Sequence, residues 1–138
     1  MRVAFGTDET NALSEQLKSD LIGRGHQLLD LVDPGPWPQV GAVVAQAVSR
    51  GDAERGVVCC WTGTGVAMAA NRVRGVRAAL CVDAETVRGA RKWNDANVLA
   101  ISLRLTSSPV ATELLEAFFH TDPDPEELDV IASLDELQ

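Results

Sequence analysis

Short apolar runs alternate along this chain with longer amphipathic segments, and that alternation restricts the fold more than any other feature. The strand-like runs are Arg2 to Gly6, Gln27 to Val32, Gly56 to Cys60, Arg77 to Val82 and Val98 to Ser102. The first helical segment, Glu9 to Arg24, carries Leu13, Leu17, Leu21 and Ile22 and ends at the stop signals Gly23 and Gly25. A second, Pro38 to Gly51, carries Val40, Val43, Val44, Ala47 and Val48. A third starts in the Gly63 to Gly65 turn, a fourth covers Ala84 to Lys92, and a fifth covers Pro109 to His120 with Leu114, Leu115, Phe118 and Phe119. Strands joined through helices run parallel, because a tight hairpin cannot connect them, and a parallel sheet needs helices over both faces. The expected class is α/β, a Rossmann-like three-layer α/β/α fold around a five-stranded parallel sheet.

A chain of 138 residues fits one such domain. Hydrophobic residues make up 46% of it, yet no apolar run reaches the roughly 18 residues that cross a bilayer. The opening Met1-Arg2-Val3-Ala4-Phe5-Gly6 reads as a strand rather than a secretory signal, so a cytoplasmic protein without membrane contact is expected. Three cysteines, two of them adjacent, make no disulfide framework; in an extended segment Cys59 and Cys60 face opposite ways. His26 and His120 are the only histidines, and no spacing resembles a metal site, so neither metal nor cofactor is expected. A net charge of −8 argues against nucleic acid as a partner. The polar Asp122-Pro123-Asp124-Pro125 segment closes the domain, leaving Leu128, Ile131, Leu134 and Leu137 as the narrow stripe of a short helix that docks on a partner subunit. Residues 1–121 are thus expected to form the domain and 122–138 an acidic linker and helix.

In open α/β sheets the ligand crevice lies beyond the carboxyl ends of the strands. Here those ends are Gly6 to Asn11, Pro34 to Trp37, Cys60 to Gly65, Val82 to Glu85 and Ser102 to Arg104. The Cys60 to Gly65 stretch allows two readings from its residues alone. It is an anion-holding turn whose backbone N–H groups converge beside a thiol, or it is a tight turn above a buried structural cysteine.

Several segments taken together resemble the type B ribose-5-phosphate isomerases and the related galactose-6-phosphate isomerase subunits. They are Gly6-Thr7-Asp8, Cys60-Trp61-Thr62-Gly63-Thr64-Gly65, Ala69 to Ala79, and Arg91 to Ala100 with its Asn94-Asp95-Ala96-Asn97 core. The resemblance runs to about His120. It implies a Rossmann-like domain that forms homodimers or tetramers with active sites shared between chains. It also implies metal-free interconversion of an aldose and a ketose phosphate by proton transfer through an enediolate. By the same resemblance Cys60 is the base, Thr62 handles the sugar ring, Gly63, Thr64 and Gly65 belong to the anion hole, and Asp8 is the carboxylate after the first strand. Asn94 orients a hydroxyl, and Arg104 is an anion contact at the fifth strand end.

Departures from the family pattern cluster at this site. Glu9 stands where members carry histidine after the aspartate, and Trp93 where they carry the histidine that assists ring opening. An indole donates a hydrogen bond but exchanges no proton at neutral pH. Trp61 replaces the glycine after the base, and Val66 the glutamate that serves as base in other members. Pro125-Glu126-Glu127-Leu128-Asp129 occupies the segment where the family places phosphate-binding arginines, and acids there repel a phosphate. Trp37, Trp61 and Trp93 fall near strand ends, where indole faces suit sugar C–H groups. The expectation is a sugar isomerase acting on an unphosphorylated or otherwise atypical small substrate, with Glu9, Trp61, Trp93, Asn94 and Arg104 lining its site. Two alternatives are a subunit that needs a paralogous partner and a non-catalytic binding protein that kept only the fold.

Overall fold

A computed structural model describes residues 1–137. Five parallel strands, β1 (Arg2–Thr7), β2 (Gln27–Val32), β3 (Arg55–Cys60), β4 (Ala78–Leu80) and β5 (Val98–Ser102), form one sheet in the order β2-β1-β3-β5-β4. Helices α1 (Ala12–Gly23), α2 (Trp37–Ser49), α3 (Thr64–Ala70), α4 (Ala84–Asn94) and α5 (Ser108–His120) follow the successive strands. The α/β class and the five-stranded parallel sheet are as the sequence leads one to expect.

Period-two alternation divides the sheet residues between two cores. Val3, Phe5, Val57, Cys59, Leu99 and Ile101 pack with α1, α4 and α5, while Ala4, Val58, Cys60, Val98 and Ala100 pack with α2 and α3. The adjacent cysteines therefore do face opposite layers. On the α2 and α3 side the contact is close: a Cβ on Gly41 would lie 2.6 Å from Ala69 Cβ and 2.7 Å from the Val66 carbonyl oxygen.

Most element boundaries differ by a residue or more from the sequence reading, and four of the shifts have a clear local reason. Helix α1 starts at Ala12 rather than Glu9, because Asn11 caps it: Asn11 Oδ1 accepts the Ser14 N–H at 2.9 Å and Ser14 Oγ accepts the Asn11 N–H at 2.8 Å. Glu9 is left in the loop. Helix α2 begins one residue early, at Trp37, with Pro38 in its first turn. Strand β4 is three residues instead of six, since it pairs only with β5 and the Arg77 N–H is taken by Asn97 Oδ1 at 2.8 Å. Helix α4 extends to Asn94 and stops where Asp95 turns left-handed at φ 47°.

After α5 the chain forms a 3₁₀ turn (Pro125–Glu127), α6 (Leu128–Leu134) and a second 3₁₀ turn (Asp135–Leu137). Of the expected apolar stripe only Ile131 is buried; Leu128, Leu134 and Leu137 are exposed. Gln138 lies outside the described residues. No helix among them is long and apolar enough to cross a membrane.

Candidate active site

Strand order reverses between β1 and β3: from β1 the chain steps to β2 on one side, then to β3 on the other. A crevice opens at such a switch point beyond the strand ends. Asp8 follows the β1 end and Cys60 closes β3, with Thr7 in register with Cys59 and the Asp8 N–H donating to the Cys59 carbonyl at 3.1 Å.

The Asp8 carboxylate is half-buried, and its Oδ1 has no hydrogen-bond partner among the described residues. Loss of water and then the neighbouring Glu9 charge raise its pKa above the ordinary carboxylate value. Buried Thr7, which the sequence reading passed over, holds this loop. Its hydroxyl donates to the Glu9 carbonyl at 2.7 Å and its carbonyl accepts the Gly35 N–H at 3.2 Å. Glu9 itself points to solvent.

Beyond β3 the chain reverses through Gly63, which is left-handed at φ 78° and serves as the N-cap of α3. A side chain at Gly63 would meet Leu80 Cδ1 at 2.5 Å, and the β5 backbone at Ser102 N (3.0 Å) and Ile101 C (3.1 Å). Only glycine satisfies both the angle and the space. The reversal brings the Gly63 N–H onto Cys60 Sγ at 3.2 Å. Among the described residues, the N–H groups of Thr62, Thr64 and Gly65 meet no acceptor, as expected for a helix start without a side-chain cap. The Thr62 and Thr64 hydroxyls share a 2.7 Å hydrogen bond.

The three thiols sit in different surroundings. Burial pushes Cys59 up strongly and Cys81 up to about 11; Cys59 is sealed inside the core, while the nearly buried Cys81 borders a groove along β4. Cys60 keeps 5% of its surface open and touches the amide turn.

The tryptophans are 47% (Trp37), 53% (Trp61) and 54% (Trp93) exposed, so none is a core residue. Trp37 lies against the start of α3, its ring 2.8 Å from where a Gly65 Cβ would stand. Trp61 rides on the turn, and its carbonyl accepts the Arg104 N–H at 2.9 Å, which brings the Arg104 backbone to the site. Among the described residues, the exposed Arg104 guanidinium pairs with no carboxylate.

Trp93 and Asn94 are placed elsewhere. They line grooves along the β4 edge: Trp93 one of about 510 Å³ with Leu80, Cys81 and Glu85, and Asn94 both that groove and one of about 450 Å³ bordered by Leu134 and Leu137. Neither groove includes Asp8 or Cys60, and the Leu80 side chain stands beside Gly63. Within one chain, then, Asp8, Cys60, Trp61, Thr62, Gly63, Thr64 and Gly65 come together, with Arg104 adjoining.

Much of the remaining motif is scaffolding. The Asn71 side chain donates to the Ala78 carbonyl at 2.9 Å and accepts its N–H at 2.8 Å, so it stands in for a neighbouring strand at the β4 edge. Asn97 holds Arg77 and Gly75 in the same manner, and Asp95 pairs with Arg91 at 2.7 Å and Arg77 at 3.2 Å. Among the described residues no three His, Cys, Asp or Glu side chains group closely enough to hold a metal ion.

Comparison with known proteins gives a consistent picture. The family described as Ribose/Galactose Isomerase matches residues 3–131. The chain is 32% identical over 127 residues to the 4-deoxy-4-sulfo-D-erythrose isomerase of Clostridium sp. (strain MSTE9), a match covering 88% of this chain and 80% of that one. It is 36% identical over 128 residues to the D-erythrulose-4-phosphate isomerase of Pectobacterium atrosepticum, covering 88% and 84%. The ribose-5-phosphate isomerase B structure from Clostridium thermocellum superposes with a TM-score of 0.93 at 29% identity, over 99% of this chain and 97% of that one. The chain belongs to the ribose/galactose isomerase family, and it is an isomerase.

Proposed function

We propose that the protein interconverts an aldose and a ketose by metal-free proton transfer at the Cys60 turn, on a small sugar that lacks the usual phosphate. The observation that carries this reading is the Gly63 N–H on Cys60 Sγ, with unaccepted amides on both sides of it. The thiolate is the form of Cys60 that can act as base, and the Gly63 amide stands in place to donate to it. In the open-chain sugar the thiolate takes the proton from the carbon beside the carbonyl. The C–H electron pair becomes a C=C bond, and the carbonyl π pair moves onto oxygen. The Thr62, Thr64 and Gly65 amides hold that oxyanion while a proton passes to it from the hydroxyl on the adjacent carbon; the oxygen left behind re-forms a carbonyl as the C=C pair takes the thiol's proton at the former carbonyl carbon, and no electrons are gained or lost overall. Asp8, with one oxygen unpartnered, accepts a sugar hydroxyl, and the Thr62 hydroxyl meets the ring oxygen.

The tail favours a substrate without a phosphate, since Glu126, Glu127 and Asp129 stand where a phosphate clamp needs cations and Arg104 is a lone guanidinium. A sulfonated and a phosphorylated four-carbon sugar, named for two relatives, are the nearest anionic alternatives.

Trp93 and Asn94 reach such a site from a second copy of the chain. This assembly is supported by their separation from Cys60 and by the exposure of Met68, Leu80, Val82 and Leu105. The tail helix, with Leu128 and Leu134 outward, docks on the same partner.

Free, phosphorylated and sulfonated tetroses, pentoses and hexoses, assayed with wild type and Cys60→Ala, test the proposal. Free sugars should turn over best, and Cys60→Ala should lose about 10²–10⁴-fold in kcat. Rapid turnover of ribose 5-phosphate refutes the substrate reading, and an active Cys60→Ala refutes the base.

A further inference from the structure

The Trp61 carbonyl is held by two donors from one neighbouring segment. Besides the Arg104 N–H at 2.9 Å, the Ser102 hydroxyl donates to it at 3.1 Å. Ser102 is the last residue of β5, fully buried, and in register with Cys60 across the β3–β5 pair. It lies on the same face of β5 as Val98 and Ala100, which is the face that Cys60 shares. Its oxygen also accepts the Leu105 N–H at 3.1 Å, so the hydroxyl has one donor to give and gives it to Trp61.

A peptide unit is planar, and in the trans form its carbonyl and the following N–H point in opposite directions. The Trp61–Thr62 bond is trans, the one cis bond of the described chain being Asp33–Pro34. Fixing the Trp61 oxygen against β5 therefore turns the Thr62 N–H away from β5, where it has no acceptor among the described residues. The backbone on the other side of Thr62 is fixed by Gly63, its N–H on Cys60 Sγ. Thr62 is thus held from both ends, each with a side chain involved: Cys60 Sγ on one side and Ser102 Oγ on the other.

We propose that Ser102 is a positioning residue, whose hydroxyl sets the direction in which the Thr62 amide meets the developing oxyanion. This rests on the isomerase reading of the Cys60 turn. Serine can do this and alanine cannot. Because the Arg104 N–H remains in place, removal of the hydroxyl loosens the peptide rather than freeing it. The expected loss is about tenfold in kcat, below the roughly 10²-fold or more that follows deletion of an oxyanion donor outright.

Ser102→Ala and Ser102→Thr are compared with wild type in three measurements. With the best sugar of the substrate panel, Ser102→Ala should lower kcat about tenfold with KM unchanged, and Ser102→Thr should recover most of it. Affinity for a hydroxamate analogue of the enediolate should fall by the same factor as kcat. In ¹H–¹⁵N spectra of the free protein, the Thr62 amide should shift in Ser102→Ala and return towards its wild-type position in Ser102→Thr. An unmoved Thr62 amide overturns the proposal, whatever the activity. So does a loss that appears in KM rather than kcat. If wild type isomerises no sugar and binds no hydroxamate, the isomerase reading fails, while the amide spectrum still decides whether Ser102 orients Thr62.

Discussion

Replacing Gly63 with alanine isolates how tightly the catalytic turn is bound to the sheet. Two separate penalties meet at this position. A left-handed alanine costs about 1–2 kcal/mol, and Gly63 sits at φ 78°. The new Cβ would also lie 3.0 Å from Ser102 N and 3.1 Å from Ile101 C, backbone atoms of β5 that cannot rotate aside as the Leu80 side chain can. Overpacking of this kind adds about 1–3 kcal/mol, giving with the left-handed penalty a combined loss of about 2–5 kcal/mol. Two further glycines separate the contributions. Gly75, at φ 80° with nothing within 4 Å, carries the conformational penalty alone. Gly41 in α2 carries the steric one, partly offset because alanine is the better helix former by about 1 kcal/mol. Urea unfolding should place Gly63→Ala and Gly41→Ala well below Gly75→Ala, which should lose about 1 kcal/mol. At about 3–5 °C per kcal/mol for a chain of this length, Gly63→Ala should melt roughly 6–25 °C below wild type. Isomerase activity at a temperature where the variant is folded should fall as well, since the Gly63 N–H leaves Cys60 Sγ. A Gly63→Ala variant no less stable than Gly75→Ala would refute the claim that the turn is wedged against β5.

Charged groups around the switch point supply two further tests. The Asp8 pKa is raised, so ionisation opposes folding: the penalty is absent below its unfolded value of 3.8 and grows as pH rises through the folded value. Asp8→Asn should therefore stabilise the protein at neutral pH, lose that advantage below about pH 4, and forfeit most activity. Thermal melts across pH check it, and a destabilised Asp8→Asn at pH 7 counts against the orphaned carboxylate. Asp33 has the opposite sign: burial works against its charge, but the Lys18 ammonium and the Thr10 hydroxyl hold its pKa below 3.8. Its contribution is present above that value and lost as pH falls through the folded pKa. Lys18→Met should cost about 1–3 kcal/mol at pH 7 and flatten the acid limb of the stability curve; an unchanged acid limb would show that the pair contributes nothing.

The sequence by itself determined the number, kind and order of the elements. Leu13, Leu17 and Leu21 mark one helical face, and Val57 to Cys60 mark a strand buried on both sides, because periodicity records which face meets a core and needs no distant partner. It placed Cys59 and Cys60 on opposite layers for the same reason. It also located the Cys60 turn, since a left-handed reversal into a helix demands glycine wherever it occurs. Helix starts were less legible: Asn11 and Pro36 set them through capping geometry that the Glu9 and Pro38 positions do not reveal. The tertiary structure alone decided the strand order β2-β1-β3-β5-β4, which joins Asp8 to Cys60 and sends Trp93 and Asn94 to the β4 edge. It alone gave Asn71, Asn97 and Ser102 their roles, since a polar side chain acquires one only when folding delivers its partner, here 7, 20 and 41 residues away in the chain. Strand order and such partners depend on which edges meet after long connections close, and no local pattern of residues records that.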